Sequence, residues 1–402
     1  MKVIKELREK WHGWPTFCPK KKWLLFCNFG KKVSYLVGLR VQGDAKITRM
    51  TYFTLALGGV YYIFAPYTII IYALEGRLSE GFSCLSLSGL YTSAVIAQII
   101  SSFSDARFDA RDLFQFAIKN IHNNDHDANE YNAICTKNIH ITIRRFISAL
   151  ILLTASFLVG VANPVYIFIK NGKFYTLAGI LFPFVEKDSK TELYINIIYS
   201  LVVIMVAVLA VIGIQVCCGI ICHTIEVTAD LSINEMKELS INLEMNKTNE
   251  ANIGVKLNRI FQQIQKIDEY IIKTGKAYFW FFFISPILYT YSIGVAIYSQ
   301  WMNGFPPGYG IGVIGYVQMV ILGLMGQISV DRNEKLRDAL YSELKWYLLP
   351  VKRQRDVCHV MNRLQNGAVL TIGPFETLNF EVIKILTQRI HSFLMLLINF
   401  SK

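Results

Sequence analysis

Seven apolar segments, each about as long as a helix that crosses a bilayer, constrain the fold of this 402-residue chain more than any other feature. A membrane-spanning helix needs about 20 mostly apolar residues. The segments are residues 51–74, 84–103, 146–169, 194–227, 277–298, 309–330 and 378–400. They predict an all-α membrane protein with seven transmembrane helices, and the fourth is long enough to continue beyond the bilayer.

The composition supports a membrane protein. Hydrophobic residues make up 53% of the chain and charged residues only 17%, whereas soluble domains carry about 25% charged residues. The net charge of +12 would suit nucleic acid, but the basic residues lie in loops beside the apolar segments, where anionic lipid attracts them. The sequence has no catalytic or phosphate-binding motif. We therefore expect no enzyme activity, no cofactor, no metal and no nucleic-acid partner.

The loop charges predict the orientation. Of the 41 Lys and Arg residues, 33 lie in residues 1–50, 104–145, 228–276 and 331–377, and 6 lie in the loops and tail on the other side. Cytoplasmic loops carry the excess of basic residues in membrane proteins. The N-terminus is therefore predicted to be cytoplasmic and, after seven crossings, the C-terminus extracellular.

Two cytoplasmic segments carry apolar residues near helical spacing. One has Val255, Ile260, Ile264, Ile267 and Ile271, and the other has Leu336, Leu340, Leu344 and Leu348 before Pro350. We expect the fourth, fifth and sixth helices to extend into the cytoplasm and pack with the last loop; a loose loop with transient helices is the alternative. The predicted parts are a cytoplasmic segment (1–50), a six-helix bundle (51–330), cytoplasmic anchor helices (331–377) and a seventh helix (378–402).

The last helix carries a polar stripe. At 100° per residue, seven side chains fall within an arc of about 100°: Glu381, Lys384, Gln388, His391, Ser392, Met395 and Asn399. In a bilayer, such a stripe must face protein or water. It either packs against the other helices of the same chain or lines a water-filled path among several copies. The second interpretation places an inner mouth at Glu381 and Lys384, a constriction at Met395 and an outer ring at Asn399.

The last seventy residues resemble the end of the insect odorant receptors. The matching motifs are ALY at 339–341, WYLLP at 346–350, GPF at 373–375, Leu378, Phe380 and SF at 392–393. The resemblance implies a ligand-gated, non-selective cation channel of four subunits, with a pore lined by the last helix. The loop between the fourth and fifth helices lacks the long insert of that family's co-receptor. The chain is therefore similar to an odour-tuning subunit that joins the co-receptor in the plasma membrane of a sensory dendrite.

The resemblance also implies an odorant pocket in the outer half of the helix bundle. At that depth the sequence offers Leu87, Tyr91, Phe157, Val161, Tyr194, Ile198, Leu288, Tyr291, Ile314 and Tyr316. An apolar, aromatic lining of this kind suits a small volatile molecule, for example a phenol or an indole. Within GPF, we expect Phe375 to anchor the start of the last helix, so that helix shifts at the pocket reach the pore.

Three other classes remain as alternatives. A G-protein-coupled receptor would also have seven helices, but the loop charges give the opposite orientation, and a paired outer cysteine is missing. A transporter would be expected to show an internal repeat or two matching broken helices, and neither is evident. A taste-type chemoreceptor would share the architecture but bind water-soluble ligands.

Overall fold

The computed structural model describes residues 19–36, 49–103, 113, 115–117, 128–171, 180–185, 189–245, 250–304 and 307–400. Helices dominate these ranges. They are α1 (Pro19–Leu36), α2 (Arg49–Leu74), α3 (Leu78–Phe82), a 3₁₀ helix (Ser83–Leu87), α4 (Ser88–Phe103), α5 (Ala128–Asn171), α6 (Lys190–Glu244), α7 (Glu250–Ala277), α8 (Phe279–Asn303), α9 (Pro307–Ser342), a second 3₁₀ helix (Trp346–Leu348), α10 (Val351–Gln365) and α11 (Phe380–Phe400). A short antiparallel hairpin, β1 (Thr371–Ile372) with β2 (Glu376–Thr377), precedes α11.

The seven predicted spans lie almost entirely in helices, which confirms the all-α fold class. In the described part of the chain, six stretches are long and apolar enough to cross a membrane, and they lie in α2, α3–α4, α5, α6, α8 and α9. Helix α11 has 21 residues and is more polar, because Glu381, Lys384 and Arg389 interrupt it. It takes the place of the seventh predicted span.

The second span is not one continuous α-helix. Its outer part is the 3₁₀ helix Ser83–Leu87, which lies between α3 and α4. The Oγ atoms of Ser83, Ser86 and Ser88 each donate to the backbone carbonyl three residues earlier, at 2.5, 2.8 and 2.6 Å. Such local bonds compete with the i to i−4 hydrogen bonds of an α-helix, which accounts for the tighter turn.

Three of the described helices are far longer than the roughly 20 residues that a bilayer requires. Helices α5, α6 and α9 have 44, 55 and 36 residues, so α6 alone is about 80 Å long. Tyr278 is the one non-helical residue between α7 and α8, so the fifth span also continues as a nearly unbroken helical rod. The predicted helical extensions of the fourth, fifth and sixth spans are therefore confirmed.

These extensions share one apolar core. From α7, the core contains the buried side chains of Ile260, Ile264, Ile267 and Ile271, and from the chain after the sixth span it contains Leu336, Leu340 and Leu344. Two residues of the predicted apolar faces lie outside it, since Val255 is 69% exposed and Leu348 is 46% exposed.

The helix after the sixth span ends earlier than its sequence suggested. We expected it to continue to Pro350, but α9 ends at Ser342. Ser240 of α6 explains the early end. Its Oγ donates to the carbonyl oxygen of Glu343 at 2.6 Å and accepts from the amide of Lys345 at 3.0 Å. These bonds satisfy backbone groups that a longer helix would otherwise pair with its own turns.

Candidate functional site

Helix α11 is held at its beginning by a cap and along one face by apolar packing. The side chain of Asn379 accepts a hydrogen bond from the amide of Val382 at 2.9 Å, which satisfies one free donor of the first turn. Val382, Ile383 and Ile390 are buried at 9%, 4% and 5% exposure, and this face contacts α8 and α9. The packing fixes which side of α11 points away from the bundle.

The polar stripe is the side that points away. All seven residues are exposed within the chain: Glu381, Lys384, Gln388, His391, Ser392, Met395 and Asn399. In the described part of the chain, these side chains make no hydrogen bond or ion pair with other residues. The stripe therefore does not form a polar seam with the helices that the structure describes.

An aromatic contact links α8 to the outer half of α11. The rings of Tyr291 and Phe393 lie 6.1 Å apart. Gly294, one turn after Tyr291, makes room for Phe393, because a Cβ at this position would lie 2.8 Å from the Cε1 of that ring. Phe393 directly follows Ser392 of the stripe, so this contact with α8 lies at the level of Ser392.

The β1–β2 hairpin docks onto α9 just before α11 begins. Leu378 is fully buried, and a Cβ on Gly326 of α9 would overlap the carbonyl group of Leu378 and lie 2.7 Å from its Cβ. Ser329 of α9 accepts a hydrogen bond from the amide of Leu370 at 3.1 Å. Phe375, which we expected to anchor this connection, is 74% exposed. Leu378 is the buried residue there instead, although the ring of Phe375 lies 5.8 Å from that of Phe283.

A buried ion cluster joins the helical extensions below the hairpin. Arg332 of α9 and Asp268 of α7 are 1% and 3% exposed, and their charged groups lie 2.6 Å apart. Arg363 of α10 adds a second cation at 3.3 Å from the same carboxylate. Arg332 lies two residues beyond the predicted sixth span, and the carboxylate of Asp268 compensates its buried charge. Asn333 continues the network to the backbone of Ala368 at 3.2 Å, near the hairpin.

The outer half of the bundle contains an aromatic cluster around α2, α4 and α6. The rings of Tyr61 and Tyr91 lie 6.0 Å apart, and Phe182 lies 5.4 Å from Phe64 and 5.8 Å from Tyr199. The Tyr91 hydroxyl donates to the carbonyl oxygen of Thr54 at 2.7 Å, the Tyr199 hydroxyl to that of Leu57 at 3.1 Å, and the Tyr61 hydroxyl to that of Cys84. Because backbone carbonyls already accept from these hydroxyls, the cluster offers mainly aromatic ring faces to a ligand.

The predicted lining residues are spread over several environments. Leu87 and Tyr91 are buried, at 7% and 1% exposure. Phe157, Leu288, Tyr291 and Ile314 are half-buried. Tyr194, Ile198 and Tyr316 are 64%, 63% and 46% exposed. The side chain of Val161 lies outside the described residues.

Sequence reasoning missed two groups of contact residues. Tyr199 lies on the bundle side of α6, next to the exposed Ile198, and helical phase at that position was the only available signal. Phe182 lies in the connection between α5 and α6, where periodicity gives no information. The sequence shows glycines at 294 and 326 but not why a side chain is excluded there. The packed structure shows the reason, which is the ring of Phe393 beside Gly294 and the carbonyl group of Leu378 beside Gly326.

Comparisons with known proteins agree with this architecture. The family model described as 7tm Odorant receptor matches residues 109–386. The olfactory receptor OR5 from Machilis hrabei in complex with eugenol is similar in structure, with a TM-score of 0.69, 13% sequence identity, and 94% of this chain and 99% of that chain covered. A second OR5 structure gives a TM-score of 0.67 at 13% identity, with coverage of 93% and 98%.

Proposed function

This chain belongs to the 7tm odorant receptor family, and we propose that it is the odorant-binding subunit of a ligand-gated, non-selective cation channel that assembles with co-receptor subunits. The family is one of membrane receptors, not enzymes, and the apolar helices make the chain a multi-pass membrane protein. Beyond family membership, we propose a pore, a ligand class and a partner. The proposal also places the channel in the plasma membrane of a sensory dendrite.

The exposed stripe of α11 carries the proposal. One face of α11 is covered by α8 and α9, whereas the polar face has no partner in the described part of the chain. A polar face left against hydrocarbon is costly, so such faces meet water or other protein. Several copies of α11 around one axis would turn these faces toward a shared aqueous path, with the other helices outside.

The stripe then assigns a role to each level of the path. Glu381 and Lys384 would stand at the inner mouth, with Gln388 and His391 above them. Met395, 49% exposed, is the largest apolar group of the stripe and would form a constriction that gates by excluding water. Ser392 would lie one turn below Met395, and Asn399 would form the outer polar ring.

The odorant site of this proposal lies in the outer half of the bundle. Its lining would combine the half-buried residues Phe157, Leu288, Tyr291 and Ile314 with the nearby ring faces of Tyr91 and Tyr199. The hydroxyls of both tyrosines are bound to backbone, so shape and stacking would hold the ligand more than hydrogen bonds. Small aromatic molecules fit that chemistry, and eugenol, bound by OR5 of Machilis hrabei, is one example to test.

Two contacts support a route from this site to the pore. Tyr291 lines the proposed site and touches Phe393 of α11. The base of α11 is fixed to α9 through Gly326 and Leu378. A ligand that shifts α8 against α9 would therefore displace the outer half of α11 about a fixed base, which is the type of small helix shift that gates other receptors.

The test is thiol accessibility in an open channel. The chain is expressed with and without the co-receptor under voltage clamp, with an odorant panel, and carries Ser392→Cys, Met395→Cys or Asn399→Cys. A charged thiol reagent applied from outside should alter the odorant-gated current in all three variants. Ile383→Cys, on the buried face of the same helix, is the control and should not respond.

Two results would contradict the proposal. Stripe cysteines that stay inert in a working channel would move the pore away from α11. Odorant-driven G-protein exchange without any current, together with an N-terminus accessible from outside, would favour the G-protein-coupled alternative. Current without the co-receptor would refute only the partner assignment.

A further inference from the structure

A groove opens between the outer halves of α8 and α9, on the side where α11 packs. It is lined by the last three turns of α8, the first three turns of α9 and the middle of α11, and its volume is about 380 Å³. Ligand pockets in proteins span about 300–1,000 Å³, so the groove has room for a small molecule. It is separate from the aromatic cluster around α2, α4 and α6.

Glycine spacing on α9 creates the groove. Gly308, Gly312 and Gly315 lie on one face, at i, i+4 and i+7. A Cβ on Gly308 would lie 2.6 Å from the carbonyl oxygen of Ala296, and one on Gly315 would lie 2.9 Å from Cγ1 of Ile293. A Cβ on Gly312, between them, would have nothing within 4 Å. The two helices therefore touch above and below Gly312 and leave a gap at its level.

The lining includes one shielded amide oxygen among mainly apolar and aromatic side chains. Oε1 of Gln300 is shielded from solvent and has no hydrogen-bond partner among the described residues. Tyr309 and Tyr316 flank the groove and are 55% and 46% exposed. Leaving a shielded amide oxygen unpaired is unfavourable, so a molecule with a hydroxyl donor would gain a hydrogen bond there.

We propose that this groove is a second ligand site, one that binds a small, flat, lipophilic molecule carrying a hydroxyl group. The Gln300 acceptor favours such a ligand over a lipid acyl chain, which has no donor. The tyrosines supply ring edges for an aromatic body. The ligand enters sideways from the membrane, because the groove lies on the outer surface of the single chain.

The groove also touches the proposed pore helix. Thr387 and Ile390 of α11 form part of its wall, and they directly precede Gln388 and His391 of the polar stripe. A ligand in the groove therefore contacts α11 without passing through the aromatic cluster. This consequence rests on the proposed channel function, whereas the binding itself does not.

The experiment uses photolabelling of the full-length chain in phosphatidylcholine nanodiscs. The probe is a phenol that carries a diazirine, and the matched probe is an alkyl diazirine without the hydroxyl. Peptide mapping should place the phenol label within residues 293–300 or 308–316, at a level at least about fivefold above that of the alkyl probe. Removing one hydrogen bond should weaken phenol labelling about fivefold to tenfold in Gln300→Leu.

Two leucine substitutions complete the design. Gly312→Leu fills the floor of the groove and should abolish the label. Gly59→Leu adds the same side chain to α2 at a site where a Cβ also meets nothing within 4 Å, and it should leave labelling unchanged.

Three outcomes overturn the ligand site. Equal labelling of wild type and Gly312→Leu would place the probe elsewhere. Equal labelling by the alkyl probe, unaffected by Gln300→Leu, would make the groove a lipid-binding surface. Loss of label upon assembly with the co-receptor would make it a subunit interface. Labelling is measured without recording any current. A chain that is labelled as expected but never conducts would therefore refute the proposed channel function, and the ligand site in the groove would stand.

Discussion

Replacing Gly326 by alanine tests whether the hairpin before α11 is fixed to α9 as tightly as the structure indicates. The added methyl carbon would overlap the carbonyl group of Leu378 and lie 2.7 Å from its Cβ. Carbon atoms in ordinary contact are about 3.5–4.0 Å apart. Helix α9 and the hairpin must therefore separate by about 1 Å or more.

The free-energy change follows from two contributions. Overpacking a well-filled contact costs about 1–3 kcal/mol. The separation also stretches the hydrogen bond from the Leu370 amide to Ser329, which is 3.1 Å long and contributes about 1 kcal/mol. Alanine is favoured over glycine in a helix by about 1 kcal/mol, and this gain applies equally to a control. Gly59→Ala, where a Cβ meets nothing within 4 Å, supplies that control.

Gly326→Ala should thus be about 2–4 kcal/mol less stable than Gly59→Ala. The measurement is the apparent unfolding temperature of each full-length variant in nanodiscs of one lipid composition, at one scan rate. A difference of several degrees is expected, together with weaker odorant-gated current at equal surface expression. Two variants that unfold at the same temperature would show that α9 and the hairpin are not in tight contact, and the fixed base of α11 would have to be abandoned.

Three further changes test other contacts. Asp268→Asn leaves the buried Arg332 charge without its carboxylate, and it should destabilise the chain by about 3–5 kcal/mol in the same unfolding assay. Gly294→Val should push Phe393 away from α8, and it should change the odorant concentration for half-maximal current by several-fold at normal surface expression. Tyr291→Ala removes both a proposed ligand contact and the link to Phe393, so it should lower odorant sensitivity in dose–response measurements.

Each of these three predictions has an outcome that would contradict it. Glu244→Gln is the control for Asp268→Asn, because it breaks the exposed pair with Lys345. Exposed pairs contribute about 0–1 kcal/mol to stability. If Asp268→Asn destabilises the chain as little as this control, the buried cluster does not stabilise the fold. An unchanged dose–response curve in Gly294→Val would show that the contact between α8 and Phe393 does not affect gating. Unchanged curves in both Tyr291→Ala and Tyr91→Ala would count against the outer pocket.

The outer pocket shows where sequence reasoning reached its limit. Depth in the membrane follows from position along a helix, and Tyr91, which was chosen by depth, lies beside Tyr61 in the aromatic cluster. Depth does not fix the direction in which a side chain points. Ile198 was chosen and is 63% exposed, whereas Tyr199, rotated by about 100°, faces Leu57 and Phe182.

The sequence alone determined the features that depend on neighbours along the chain. Apolar length set the place of six spans, and helical periodicity placed Glu381, Lys384 and Asn399 on one face of α11. Tertiary structure alone decided which face of α11 is covered by other helices. It also decided that α9 ends at Ser342 and that Leu378, not Phe375, is the buried residue at the base of α11. The reason is that these outcomes depend on atoms far away in sequence, such as Ser240 against Lys345 and Gly326 against Leu378. No local pattern encodes such partners.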